Sequence, residues 1–181
     1  MAFQHPSRRY GTIPRDLEMT AGRLVPRPVR EIEKYRQKPV CYENKEVNGS
    51  CELPGVSGRM VDMTVEVTGG DYRAFTIAFA KNEEHYTSLE YRREKQTLEI
   101  DRTYSGMTRD TIASRKIKLK MPKDHLKLRF ILDKYSAEIF VNDGDQVIST
   151  TFYTPLTADE IRFESDGTAI INVQKYDVVV E

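Results

Sequence analysis

Residues 126–153 constrain the fold of this chain most strongly, because the pairing register of this stretch can be worked out from the sequence. Asp143-Gly144 lies between two apolar segments. A type I′ turn needs positive φ at both central positions, so this dipeptide predicts a two-residue hairpin. The hairpin sets Phe140 opposite Val147, and a further turn near Lys134-Tyr135 adds a third strand. The stretch therefore predicts a three-stranded antiparallel meander.

The predicted register gives this meander one wholly apolar face. Side chains alternate along a strand, so residues that lie opposite each other share a face. The predicted pairs are Leu132 with Ala137, Phe130 with Ile139, Leu128 with Val141 and Ile139 with Ile148. We expect these seven residues to form part of a hydrophobic core.

The opposite face of the meander is mixed. It carries Lys127, Arg129, Asp133 and Glu138, as a solvated face does, together with Ile131, Phe140 and Val147. Two interpretations stay open for the three apolar residues. They are scattered surface side chains, which are common, or they form an interface with another domain or subunit. Ile131, Phe140 and Val147 are therefore the candidate interface residues.

The N-terminal part of the chain is expected to need the rest of the protein in order to fold. Residues 1–27 are rich in Pro and Arg and contain only short apolar pairs, so at most two short strands are expected there. Residues 28–38 predict a linker helix, because Pro28 suits the first helical position and the acids Glu31 and Glu33 favour its positive end. Such a short helix needs docking onto other structure.

Residues 39–181 are dominated by strand patterns. Apolar and polar residues alternate over 61–67, and the strand is expected to end at Gly69-Gly70. A second Asp-Gly dipeptide, Asp166-Gly167, predicts another turn before a long β-branched run. Short strands with tight turns and almost no helix predict an all-β fold, a two-layer antiparallel sandwich of jelly-roll or concanavalin-like type.

Bulk composition excludes several function classes. The 28 Lys and Arg residues balance the 28 Asp and Glu residues, so nothing favours nucleic acid or an anionic membrane as a partner. No apolar run has the length of a membrane span or the character of a signal peptide, which predicts a cytoplasmic protein. A turn predicted at Asn48-Gly49 would place Cys51 opposite Glu46, so Cys41 and Cys51 are expected to be reduced.

The residue patterns indicate no catalytic, metal or cofactor site. The histidines His5, His85 and His125 are isolated, and residues 142–145 lack the alternating acids of a calcium loop. Five tyrosines are possible sugar-stacking platforms, although packing is the interpretation we favour: Tyr72, Tyr86, Tyr91, Tyr104 and Tyr153. From the residues alone, the chain is a soluble β-sandwich with a dependent N-terminal arm.

Several motifs, in order, resemble one family. They are TIPRDLEM at 12–19, GRLVPRPVREIEKYR at 22–36, LEIDRTYSGM at 98–107, ASRKIKL at 113–119 and LRFILDKYSAEIFVNDGDQVISTTFY at 128–153. From about residue 11 to its end, the chain resembles the C-terminal module of glycoside hydrolase family 32. That family comprises invertases, sucrose-6-phosphate hydrolases, levanases and inulinases, which are hydrolases of carbohydrate metabolism.

The resemblance implies a two-domain parent. Such proteins join a five-bladed β-propeller, which holds the active site, to a C-terminal β-sandwich. Residues 1–27 would then include the end of a missing propeller, residues 28–38 the linker helix, and residues 39–181 the sandwich.

The catalytic motifs of the family do not occur in this sequence. These motifs are a WMNDPNG-like segment with the nucleophile, an RDP segment and an EC segment with the acid/base. Asn142-Asp143-Gly144 lacks the flanking residues of the first, Arg15-Asp16 follows a proline instead of preceding one, and Cys51-Glu52 is reversed. We therefore assign no catalytic residue and expect the chain itself to be inactive.

Two hypotheses of function follow. The first is a non-catalytic module of a β-fructofuranosidase-like enzyme that cleaves sucrose, sucrose-6-phosphate or fructans. Its role would be domain stability and contacts with the missing propeller or with a second copy of itself, the N-terminal arm docking on its own or a neighbouring sandwich. The alternative is an independent carbohydrate-binding module with weak affinity for fructans.

Overall fold

The computed structural model describes residues 13–20, 22–106, 113–119 and 125–180. It contains twelve strands and, between β2 and β3, a 3₁₀ linker helix, Arg30–Tyr35. The strands are β1 Arg15–Thr20, β2 Arg23–Pro28, β3 Arg36–Cys51, β4 Val61–Gly70, β5 Ala74–Lys81, β6 Thr87–Arg92, β7 Thr97–Asp101, β8 Ser114–Lys118, β9 Leu126–Asp133, β10 Ser136–Val141, β11 Gln146–Thr151 and β12 Glu160–Val178.

The long strand β12 organises the sandwich. One of its edges pairs first with β5 and then with β4, while β3 pairs with it along the other edge. The order β11-β10-β9-β4 therefore forms one flank and β8-β7-β6-β5 the other, joined through β12. All of these pairings are antiparallel, and the two flanks enclose a single hydrophobic core. The predicted all-β sandwich is confirmed.

Aromatic contacts across the core show how the flanks meet. Phe79 of β5 lies edge-to-face against Phe130 of β9, with ring centroids 5.6 Å apart, and against Phe152, at 5.8 Å. Edge-to-face pairs place the positive ring edge on the negative ring face, which adds to the gain from burial. The apolar face of the meander therefore packs directly on the opposite flank.

The meander has the register expected from the sequence. Phe140 pairs with Val147, and the β9–β10 pairs are Ala137 with Leu132, Ile139 with Phe130 and Val141 with Leu128. Asp143 (φ 58°) and Gly144 (φ 103°) have the predicted positive φ, as does Asn142 (φ 47°). The predicted two-residue loop is wrong, because strand pairing ends at Val141 and Gln146 and leaves a loop of four residues. All seven residues of the predicted core face are at most 8% exposed.

Asp166-Gly167 is not the predicted turn. β12 continues through it with a register shift against β3, which is a β-bulge. The dipeptide was misread because Gly167, at φ 97°, has the conformation that serves both hairpin turns and bulges. Here the bulge lies where β12 leaves β5 and begins to pair with β4.

Two other local expectations need correction. Asn48-Gly49 lies inside β3 and forms no hairpin, because β12 supplies the pairing partner on that side. The predicted helix is a single 3₁₀ segment, and Arg36 already begins β3. Of the expected N-terminal arm, residues 1–12 lie outside the described residues, and β1 and β2 form the two short strands.

Candidate domain interface

The outer face of the meander, for which two interpretations were left open, is largely buried. Ile131 and Phe140 are each 2% exposed and Glu138 is 3% exposed, while Val147 is half-buried. The expectation of a solvated Glu138 is therefore wrong. The β1–β2 hairpin lies over this face, and the contacts of Glu138 and Phe140 with it explain much of the burial.

Arg15 of β1 fixes the hairpin to the meander. Its Nε donates to Glu138 Oε2 at 2.9 Å, its Nη2 donates to Ser149 Oγ at 2.8 Å, and its guanidinium lies 5.9 Å from the centre of the Phe140 ring. The backbone N–H of Ile13 donates to the other Glu138 oxygen at 3.1 Å. Both oxygens of this buried carboxylate are thus satisfied by the arm, as a buried charge requires.

A second attachment lies at the turn between β10 and β11. A Cβ placed on Gly144 would meet the Pro26 carbonyl oxygen at 2.2 Å and Val25 Cγ1 at 2.8 Å. Only glycine allows β2 to approach the turn this closely. The ion pair between Arg23 and Asp145, at 3.1 Å, lies beside it. The same turn therefore sets the register of the meander and receives the hairpin.

The linker helix is held by an ionic cluster that sequence reasoning missed. Asp62 of β4, 1% exposed, accepts hydrogen bonds from Arg36 Nε at 2.8 Å and from Arg129 Nε and Nη2 at 2.9 and 2.8 Å. Glu33 of the helix lies 3.5 Å from Arg36 and 3.8 Å from Arg129. Asp62 pairs with Ile131 across β4 and β9, which makes Arg129 its diagonal neighbour. That pairing joins segments far apart in the chain, so the alternation of β4 alone gave no signal for it.

A cleft of about 570 Å³ separates the hairpin and linker helix from the outer face of the sheet. Its lining contains both charge signs: Asp16, Glu18, Arg27, Arg30, Glu33, Arg36, Lys127, Arg129 and Asp143. Opposite charges are paired within it, with Glu18 bonded to Arg27 at 2.7 Å and Asp143 bonded to Lys127 at 2.9 Å. The hydrogen bond to Asp143 raises the pKa of Lys127. These two pairs lie within the hairpin and within the meander, whereas the contact of Glu33 with Arg129 crosses from the linker helix to the sheet.

The hairpin carries exposed apolar side chains on one of its faces. Leu17, Met19 and Leu24 are 65, 66 and 60% exposed. Met19 pairs with Leu24, and Leu17 pairs with Pro26, so these side chains share one face. Among the described residues, β1 and β2 pair only with each other. An isolated two-stranded sheet with an exposed apolar face is marginally stable in water.

Within the described ranges, no group of three His, Cys, Asp or Glu side chains has the geometry to hold a metal ion. Asn142 to Asp145 form the hairpin loop, and His5 lies outside the described residues. The cysteines Cys41 and Cys51 are free thiols. No helix in this part of the chain is long and apolar enough to cross a membrane.

Comparison with known proteins gives one consistent family. The family described as "Glycosyl hydrolases family 32 C terminal" matches residues 31–179. A sucrose-6-phosphate hydrolase of Staphylococcus xylosus is 25% identical over 171 residues, which cover 92% of this chain and 34% of that protein. A levanase of Bacillus subtilis is 31% identical over 158 residues, which cover 80% of this chain and 23% of that protein.

The solved structures agree on the fold. The exo-inulinase of Aspergillus awamori superposes with a TM-score of 0.80 at 22% identity, over 93% of this chain and 35% of that chain. The sucrose-6-phosphate hydrolase of Lactobacillus gasseri gives 0.77 at 22% identity, over 91% and 33%. The chain thus spans about a third or less of the length of these proteins.

Proposed function

This chain belongs to the C-terminal domain family of the family 32 glycosyl hydrolases, and on that premise we propose that it braces the catalytic domain of a longer β-fructofuranosidase-like enzyme. In this proposal, residues 1–27 belong structurally to the catalytic propeller, residues 28–38 link the domains and residues 39–181 form the supporting sandwich. The relatives are named as hydrolases of sucrose-6-phosphate and as a levanase. A β-fructoside is therefore the substrate we propose for the complete enzyme.

The single observation that carries this proposal is the exposed apolar side chains of the β1–β2 hairpin. Leu17, Met19 and Leu24 are each at least 60% exposed on a sheet of only two strands. Exposed apolar clusters of this kind mark surfaces that bind other protein. In the complete enzyme, the catalytic domain would pack on this face and cover these side chains.

The inner attachments of the hairpin support a bracing role. Arg15 and Arg23 tie it to the meander through Glu138 and Asp145, and Gly144 gives it close backbone contact. The candidate interface of Ile131, Phe140 and Val147 thus lies on the face where the hairpin docks. We propose that this face fixes the hairpin on the sandwich, and that the hairpin in turn holds the catalytic domain in a fixed position relative to the sandwich.

In the absence of a catalytic domain, a second copy of the chain is the proposed partner for the same apolar face. Light scattering should then show self-association that a Leu17→Asp substitution reduces. A strict monomer at high concentration would contradict this part of the proposal. The cytoplasmic location expected from the sequence stays a prediction.

The function is tested by joining the chain to a separately expressed catalytic domain of a family 32 enzyme and measuring hydrolysis of sucrose and levan. We expect hydrolysis by the joined protein and none by the chain alone. A Leu17→Asp, Met19→Asp double variant should lower the melting temperature of the joined protein, because two charges would enter a buried contact.

Leu156→Asp is the matched control for the hairpin variant. Leu156 is 46% exposed and lies in the loop between β11 and β12, outside the hairpin strands. Its substitution should leave the melting temperature nearly unchanged. A joined protein that is folded and inert would refute the enzyme assignment, and equal effects of the hairpin and control variants would refute the bracing contact.

A further inference from the structure

The tyrosines of this chain fall into two groups that differ in exposure. Tyr72 and Tyr91 are 4 and 1% exposed and are packed in the core, as we expected for all five tyrosines. Tyr104 is 53% exposed and Tyr153 is 46% exposed. A phenol ring that is half exposed does little for the core and is available to a ligand.

Tyr104 is part of a stacked pair. Its ring lies on the ring of Tyr86, with centroids 5.1 Å apart and planes 25° apart. Tyr86 immediately precedes β6 and Tyr104 follows β7, and these strands pair so that both residues lie at the same end of the sheet. The Tyr86 N–H also donates to the Tyr104 carbonyl at 3.0 Å. We name Tyr86 and Tyr104 the tyrosine platform.

Local hydrogen bonds stabilise both segments that carry the platform. Asn82 Oδ1 accepts from the backbone N–H groups of Glu84 and His85, at 3.0 and 2.7 Å. Asp101 Oδ1 accepts from the N–H and the hydroxyl of Thr103, at 2.8 and 2.6 Å. A preorganised surface loses little conformational entropy when a ligand binds. The platform therefore has the rigidity that a weak binding site needs.

Unpaired polar atoms gather at the same place. Buried side-chain atoms without a hydrogen-bond partner among the described residues include His85 Nδ1, Thr87 Oγ1 and Ser105 Oγ. Each belongs to a residue adjacent in sequence to Tyr86 or Tyr104. Folded proteins leave few such groups, so each one needs an explanation, such as an ordered water or a bound group.

Carboxylates lie close to the platform as well. Burial raises the pKa of the Tyr86 phenol, and the neighbouring Tyr104, Asp101 and Glu164 act in the same direction. Carboxylate oxygens are strong hydrogen-bond acceptors for hydroxyl groups. An aromatic face beside such acceptors presents both an apolar surface and polar groups that can orient a ligand.

We propose that the tyrosine platform binds a neutral oligosaccharide, with one sugar ring stacked on the exposed face of Tyr104. The C–H groups on one face of a sugar ring are apolar and weakly electropositive, which suits the negative face of an aromatic ring. The sugar hydroxyls then reach the acidic groups around Tyr86. This site is separate from the hairpin contact and stands independently of the proposed bracing function.

Affinity electrophoresis of the full chain in gels that contain inulin, levan or dextran tests the site. At least one of these polysaccharides should slow the migration of the wild-type protein. Tyr104→Ala should weaken the retardation by about tenfold or more, as expected for removal of a central aromatic contact. Tyr104→Phe should retain most of it, because the ring face remains.

Tyr35→Ala is the control, since Tyr35 is 43% exposed in the linker helix and lies outside the platform. It should migrate like the wild type in every gel. The proposal is overturned if no polysaccharide retards the wild type, or if Tyr104→Ala, shown by circular dichroism to be folded, is retarded as strongly as Tyr35→Ala. Neither result depends on whether the joined protein hydrolyses sucrose.

Discussion

The two faces of the β9–β10–β11 meander use the same strands but are buried by different means. The inner face consists of apolar residues that pack on the opposite flank, as Phe130 does on Phe79 at 5.6 Å. The outer face is covered by a hairpin held by directed polar contacts, such as Arg15 to Glu138 and Arg23 to Asp145. Burial of the inner face needs only apolar neighbours, whereas burial of the outer face needs particular partners.

This difference implies a division of labour. Burial of apolar area is non-directional and stabilises whatever packing excludes water. Hydrogen bonds and ion pairs contribute less net free energy but depend steeply on geometry. We therefore expect the inner face to determine whether the sandwich folds, and the outer face to determine where the hairpin lies.

The largest expected effect is a difference in stability between alanine variants of Phe130 and Phe140, which lie on opposite faces of neighbouring strands. Phe130→Ala should lower the free energy of unfolding by about 3–5 kcal/mol, because the core cannot close the cavity. Phe140→Ala should lower the free energy of unfolding by less. Phe140 borders the cleft, and the two-stranded hairpin that covers it can move inward to fill the space left by the ring. Urea unfolding followed by circular dichroism measures both values.

Equal losses for the two variants would break the comparison. They would mean that the hairpin and the sandwich unfold as one unit. A Phe140→Leu variant serves as a control, because a smaller apolar side chain retains much of the contact. It should recover part of the loss caused by Phe140→Ala.

Gly144→Ala should have a smaller effect on global stability but should release the hairpin. The new Cβ would lie 2.2 Å from the Pro26 carbonyl oxygen, so β2 must move away from the turn. We expect a cost of about 1–3 kcal/mol from this overlap beyond the backbone strain of positive φ. Hydrogen exchange should report faster exchange in β1 and β2.

Gly49→Ala is the matched control for this substitution. Gly49 also has positive φ, at 74°, but a Cβ there would meet nothing within 4 Å. It therefore measures the backbone strain alone and should leave exchange in the hairpin unchanged. If both variants release the hairpin equally, the close contact at Pro26 is not what holds it.

How much of this could be predicted from the sequence depends on where the partner of each residue lies. The register of the meander followed from Asp143-Gly144 because the strands that it joins are adjacent in the chain. Asp166-Gly167 has the same composition but lies in a strand whose partners are β3, β4 and β5. Turn chemistry is local, so it cannot distinguish a hairpin from a bulge when the pairing is distant.

The same limit applies to the candidate interface. Alternation placed Ile131, Phe140 and Val147 on the outer face and left open what covers them. The role of Arg15 over Phe140, and the cluster of Asp62 with Arg36 and Arg129, required the positions of segments far away in the chain. The burial of these charged residues could not be predicted, because ionic partners, unlike apolar ones, produce no periodic pattern in the sequence.

The smallest expected effect concerns an exception on the core-facing side of β4 and β12, which continues the inner face of the meander beyond β9. Asp177 and Lys175 of β12 pair with Val61 and Met63 of β4, so they share the core-facing side near its end. Burial opposes ionisation of Asp177, but hydrogen bonds from Lys175 and Lys38 outweigh it, and the pKa of Asp177 lies below its ordinary value. An ion pair at this position makes one part of the inner face sensitive to pH.

A carboxyl whose pKa is lowered by folding contributes stability above its unfolded pKa of about 3.9, and that stability is lost as the pH falls through the folded value. Wild-type stability should therefore decline more steeply from about pH 5 to about pH 2 than that of Asp177→Asn. Urea unfolding at several pH values across this range measures the effect. If the free energy of unfolding falls with pH in parallel for the wild type and Asp177→Asn, directed polar contacts contribute nothing to the inner face.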